Sequence, residues 1–120
     1  MQHDGNIKSL PDLQVECMKH AEIMGWHDNP ITFLDAMFLI MSECFEAGEA
    51  WRDHGFADMT PQIWFGDKPP KPEGVGSEFA DILMRLLHYA AYFGIDLMTE
   101  YERKREYNLT RGHRHGGKLA

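Results

Sequence analysis

From Phe33 to His54 the chain reads FLDAMFLIMSECFEAGEAWRDH, twenty-two residues without proline that carry both the strongest apolar run and two glutamates three positions apart. At about 100° per residue, Phe33, Leu34, Met37, Phe38, Ile40, Met41, Cys44, Phe45, Ala47 and Trp51 fall on one arc covering half the circumference. Glu43 and Glu46 share a different side, in line with Leu39 and Ala50. Within this helix no cation lies three or four residues from either acid, so an intrahelical salt bridge does not account for them.

Working outward, a first helix is expected from Leu10 to Met24, with Ser9 as cap, Pro11 in the first turn and Gly25 as its stop. Its apolar positions are Leu13, Cys17, Ala21 and Met24. The second begins after Thr32 and ends at Gly55. From Gly55 to Gly76 the prolines Pro61, Pro69, Pro70 and Pro72 predict a long loop carrying an exposed pair, Trp64 and Phe65. Ser77 is expected to cap a third helix running to Phe93 and closed by Gly94, and Asp96 to cap a fourth over Leu97–Tyr107. The last dozen residues are glycine-rich and basic, without helical periodicity. No strand, internal repeat or low-complexity segment is evident, so the fold class is all-α.

The third helix repeats the pattern of the second. Phe79, Leu83, Met84, Leu86, Leu87, Ala90 and Ala91 form its apolar face, and Glu78, Asp81, Arg85, His88 and Tyr92 form a polar stripe. If the two helices pack antiparallel with these stripes facing, four carboxylates converge in a medium of low dielectric, where like charges repel unless a cation is present. Hard oxygen ligands suit Mg²⁺, with Mn²⁺ as an alternative, rather than Zn²⁺. A single Glu-x-x-Glu is usually solvated helix surface, and Arg85 is placed to neutralise Asp81 at i,i+4. Two matched pairs on successive long helices favour the metal site.

One hundred and twenty residues suit a single domain, 1–120, with a modest core that oligomerisation would enlarge. A formal net charge of −7 argues against a stable nucleic-acid partner, although Arg103, Lys104, Arg105, Arg111, Arg114 and Lys118 gather towards the C-terminus, a natural anion site. Cys17 and Cys44 read as reduced packing thiols. No segment reaches the roughly 18 apolar residues that span a bilayer, and a cytoplasmic protein is expected by default. Di-iron carboxylate bundles require Glu-x-x-His, which neither pair supplies, since Glu46 and Asp81 stand where the histidine would be.

Several pieces in order resemble the MazG-like branch of the all-alpha NTP pyrophosphohydrolases, particularly its short phage and mobile-element members. They are Ser42-Glu43-Cys44-Phe45-Glu46-Ala47 with Glu49-Ala50, Glu78-Phe79-Ala80-Asp81-Ile82-Leu83, Gly94-Ile95-Asp96-Leu97, and Lys104-Arg105-Glu106-Tyr107-Asn108-Leu109-Thr110-Arg111 followed by His115-Gly116-Gly117-Lys118. The resemblance runs from Trp26 to Lys118 and implies a four-helix bundle-like MazG fold. It also implies Mg²⁺-dependent hydrolysis of a (deoxy)nucleoside triphosphate to monophosphate and pyrophosphate, in nucleotide-pool house-cleaning. Glu43, Glu46, Glu78 and Asp81 match the metal ligands, with Glu43 or Glu46 orienting the attacking water. Lys104, Asn108 and Arg111 match phosphate- or nucleotide-contacting tail positions. Dimers, or tetramers of dimers, with sites beside the interface are implied as well. Many relatives carry an acid where this chain has His88, which makes His88 a candidate nucleotide contact. Trp26, Trp51, Trp64 and Phe65 are candidates to sandwich a base, Trp26 with His27 at the cleft entrance. The competing reading is a non-enzymatic helical oligomerisation or interaction module.

Overall fold

A computed structural model describes residues 7–58 and 71–119. The expectations for Pro61, Trp64, Phe65, Pro69 and Pro70 lie outside them. Within them the chain forms α1 (Leu10–Ile23), α2 (Phe33–His54), a 3₁₀ turn (Gly55–Asp58), α3 (Val75–Tyr92), α4 (Leu97–Leu109) and a single-turn α5 (Arg114–Gly117), with no strand. No helix among the described residues is long and apolar enough to cross a membrane.

Local chemistry sets most of the boundaries. Ser9 accepts from the Asp12 amide while Asp12 accepts from the Ser9 amide, a reciprocal box that starts α1 with Pro11 in its first turn. Thr32 accepts from the Asp35 amide and Asp96 from the Thr99 amide, starting α2 and α4. The start of α3 differs from expectation. Gly74, at φ 108°, turns the chain into the helix at Val75, and Ser77 is already helical, its hydroxyl donating back to the Pro72 carbonyl at 3.2 Å. A backbone turn with positive φ has replaced the side-chain cap. At the other end α4 runs two residues past Tyr107, and the tail contains the short α5.

α3 is the centre of the bundle and packs antiparallel to both α1 and α2. Against α2, the Phe33 and Phe93 rings meet at 5.6 Å, the Tyr92 hydroxyl accepts from the Ile31 amide at 3.0 Å, and Arg85 reaches Glu43. α4 packs chiefly on α1, with no buried residue of its own. Its docking point is Gln14. This nearly buried amide donates to the Ile95 carbonyl at 2.8 Å and accepts from the Leu97 amide at 3.2 Å, satisfying both sides of the α3–α4 turn.

Among the described residues the buried apolar ones are Ala21, Ala36, Ala47, Val75, Leu87, Tyr89 and Ala90, and Leu87 is the one large side chain buried below 2 % exposure. The alanines let the helices approach closely. The apolar arc of α2 is largely outside: Phe33, Leu34, Phe38, Met41, Cys44, Phe45 and Trp51 are exposed, as are Phe79, Leu83, Met84 and Leu86 of α3 and Met24 after α1. The sides turned inward carry Glu43 on α2 and His88 on α3. Facing polar stripes were expected; such extensive exposure of the apolar ones in one chain was not.

Replacing Gln14 with Ala leaves the Ile95 carbonyl and Leu97 amide without their partner. We expect a loss of about 1–3 kcal/mol in urea unfolding, with faster amide exchange at Leu97. Unchanged stability and exchange would show that the clamp does not hold α4.

Candidate metal centre

Glu43 and Glu46 point from α2 towards Glu78 of α3, and one carboxylate oxygen from each lies within 4.8 Å of the others. The antiparallel register causes this, because it sets the middle of α2 against the first half of α3. Asp81, one turn beyond Glu78, stands exposed at the edge of the group, close enough for the Glu43 charge to act on it. All four expected ligands are therefore gathered, three of them tightly.

The electrostatics show what the gathering costs. Direct contact with Glu43, and then its charge, pushes the Glu46 carboxyl up. Burial first, then the charges of Asp81, Glu46 and Glu43, pushes Glu78 up. Burial and the Glu43 charge do the same to Asp81, with Arg85 pulling the other way. Glu43 itself is only 8 % exposed. Its Oε1 accepts from Arg85 Nε at 3.1 Å, while its Oε2 and the Oε2 of Glu78 are buried with no hydrogen-bond partner among the described residues. Buried carboxylate oxygens without partners are costly, and a hard divalent cation is the group that would satisfy several at once. The residues fit such an ion.

Two hollows flank the acids. Glu43 and Asp81 open on a cavity of about 450 Å³ between α1 and the α2–α3 pair, walled by Cys17, His20, Trp26 and Met84 with Arg85 and His88. Glu46 and Glu78 open on a more polar one of about 360 Å³, with Glu49, Asp53, Lys71 and Glu73. The first has the size and mixed lining of a small-molecule site.

Of the expected substrate contacts, the structure brings Trp26 and His88 to this cavity. Trp26 is half exposed and lies 5.4 Å from the Arg85 guanidinium. His88 is 2 % exposed; its Nε2 is 2.7 Å from His27 Nε2, the two rings stack at 5.0 Å, and its Nδ1 has no hydrogen-bond partner among the described residues. Burial, then the charges of His27 and Arg85, hold the His88 imidazole below its ordinary value, so it is a neutral wall of the pocket at pH 7. Trp51 instead packs near Phe56, with ring centres 6.3 Å apart. Lys104 and Asn108 line a separate hollow on α4, and Arg111 lies over Tyr107 at 5.6 Å. A single chain does not bring these three to the acids.

Sequence reasoning missed Arg85 as the partner of Glu43, Tyr89 as the second anchor of Arg85, and the His27–His88 pair. Spacing along one helix pairs Arg85 with Asp81, whereas the hydrogen bond that Arg85 makes to a carboxylate crosses from α3 to Glu43 on α2. The sign of three pKa shifts predicts how the acids affect stability. A carboxyl raised in the fold penalises folding above that raised value, and the penalty disappears below the unfolded value. With chelator present, Glu78→Gln should therefore have a higher urea midpoint than the parent chain at pH 7.5, the gap closing as pH falls towards 4.5. Saturating Mn²⁺ should reverse the order at pH 7.5. A less stable Glu78→Gln in chelator would contradict the repulsion.

No family model matches the chain, and neither a curated protein nor a solved structure matches it with significance.

Proposed function

We propose that this chain is a Mg²⁺-dependent nucleoside triphosphate pyrophosphohydrolase, Mn²⁺ being able to substitute, that releases monophosphate and pyrophosphate and works as a homodimer or tetramer. The observation that carries the reading is the pair of buried, unpartnered oxygens of Glu43 and Glu78 at the focus of four acids. The resemblance of the acid-bearing segments and tail to MazG-like enzymes supplies the substrate class.

Glu43, Glu46, Glu78 and Asp81 would hold the metal, which, when bound, withdraws charge from triphosphate oxygens and makes phosphorus open to attack by water. Of the two candidate bases, Glu46 is favoured. It is exposed and has no hydrogen bond to Arg85, whereas Glu43 is buried and already shared. Trp26 supplies a flat face beside the acids on which a nucleobase would stack, and the neutral His88 closes the pocket behind it. Lys104, Asn108 and Arg111 enter only if another copy carries its α4 over the acids. The exposed apolar residues of α2 and α3 are the surfaces that such copies would bury, and their extent favours association over a monomer.

The test is pyrophosphate release from a panel of standard and modified NTPs and dNTPs, with Mg²⁺ and with chelator. We expect Mg²⁺-dependent release, reduced about 10²–10⁴-fold by Glu46→Gln and similarly by Asp81→Asn, in proteins that melt as the parent does. Undiminished release from both folded variants would sink the reading. In sedimentation the chain should run as a dimer or larger, with Phe45→Asp shifting it towards the monomer. The alternative, a helical oligomerisation module without catalysis, draws on the same exposed faces, and absence of any thermal shift with Mg²⁺ or Mn²⁺ would favour it.

A further inference from the structure

Arg85 stands between the acids and the cavity. Its Nε donates to Glu43 Oε1 at 3.1 Å, its Nη1 donates to the Tyr89 hydroxyl at 3.0 Å, and its guanidinium carbon lies 5.4 Å from the centre of the Trp26 ring. A guanidinium has five N–H donors. The remaining ones have no partner among the described residues, on a side chain that is 25 % exposed and lines the cavity of about 450 Å³. Lys71, by comparison, pairs with Glu73 at 3.8 Å and reaches Asp81 only through its field.

Glu43 is thus divided. One oxygen is held by a resident monovalent cation, the other is buried with no hydrogen-bond partner among the described residues, and the carboxylate as a whole lies within 4.8 Å of oxygens of Glu46 and Glu78. A divalent ion on that second oxygen would sit within a few ångströms of the guanidinium, and like charges at that range in a poorly solvated cleft repel. An anion in the cavity removes the conflict. Phosphate oxygens can take the free edge of the guanidinium in the paired geometry that arginine favours, and their charge screens the two cations from each other.

We propose that Arg85 couples the cation site to the cavity: it neutralises Glu43 and weakens the binding of a divalent ion until a phosphate-bearing ligand beside Trp26 engages its guanidinium, so that ion and ligand bind cooperatively. The phosphate identity of the ligand rests on the proposed function; the competition for Glu43 does not. Arg85 is then a positioning residue with a sign opposite to that of a simple orienting group. Removing an arginine that merely fixes Glu43 in place would weaken metal binding, whereas removing a competitor strengthens it.

The experiment titrates Mn²⁺ into the full chain, followed by electron paramagnetic resonance, with and without imidodiphosphate and with the Mn²⁺–imidodiphosphate complex in solution subtracted. Arg85→Ala should bind Mn²⁺ alone about fivefold or more tightly than the parent, and Arg85→Lys, which keeps the charge, should stay within about twofold. Imidodiphosphate should raise the Mn²⁺ affinity of the parent by about fivefold or more and leave Arg85→Ala unchanged. Melting in chelator checks the fold, and Arg85→Gln replaces Arg85→Ala if the latter does not fold. Equal or weaker Mn²⁺ binding by the folded variant, or equal enhancement by imidodiphosphate in both proteins, overturns the proposal. Neither titration needs turnover. A chain that hydrolyses no nucleotide yet shows these shifts defeats the enzymatic reading and leaves the coupling, and an active enzyme without them does the reverse.

Discussion

Helices α2 and α3 meet through Glu43, a carboxylate with only 8 % of its surface exposed, and a charge in that position has to be compensated. Arg85 compensates one of its oxygens from the facing helix, and Tyr89, one turn further along α3, holds the guanidinium in place. The rest of the interface follows from that pairing. The register that brings Arg85 to Glu43 also sets Glu46 beside Glu78 and Phe33 beside Phe93, and it leaves only alanine-sized positions, Ala36 and Ala47, to fill the narrow space on the inner side of α2. Many of the large side chains of α2 lie outside that interface.

Where they are left is informative. Fully burying a phenylalanine or leucine side chain is worth about 1.5–3 kcal/mol, and α2 alone leaves Phe33, Leu34, Phe38, Met41, Phe45 and Trp51 half exposed or more. Against these, the chain's own core holds Leu87 and a set of smaller or partly polar groups. Charge and apolarity have been separated in an unusual direction, with the acids towards the centre of the bundle and the hydrocarbon towards the outside. In a folded state that is stable on its own the reverse is the rule, and this inversion around the buried Glu43 is the ground for the proposed association of copies.

Much of this was legible in the letters. The four main helices, the caps Ser9 and Asp96, the start of α2 after Thr32 and its stop at Gly55 follow from residue chemistry within a few positions, and the structure reproduces them. The pairing of Glu43 with Glu46, and of Glu78 with Asp81, is a consequence of helical spacing alone. What periodicity cannot decide is which of two stripes on a helix turns inward, because that depends on a partner helix distant in sequence. The apolar arc that carries Phe38 and Phe45 is the one turned outward. Arg85 was hidden for the same reason: its nearest acid along the chain, Asp81, is not the one it bonds. Gly74 in place of Ser77 at the start of α3 shows a third limit, since a turn with positive φ leaves a weaker mark than a capping hydroxyl.

Gln14 gives the fourth helix an unusual mechanical character. α4 is thirteen residues long, so its far end lies about 20 Å from the clamp at Ile95 and Leu97. It has no buried residue of its own to brace it. A tilt of about ten degrees at that clamp would swing Asn108 and the residues after it through about 3 Å, the length of a hydrogen bond, over a helix of that length. α4 is in this sense a boom hinged at one amide, and the aim of Lys104 and Arg105 along it and of Arg111 beyond it follows the angle that Gln14 holds.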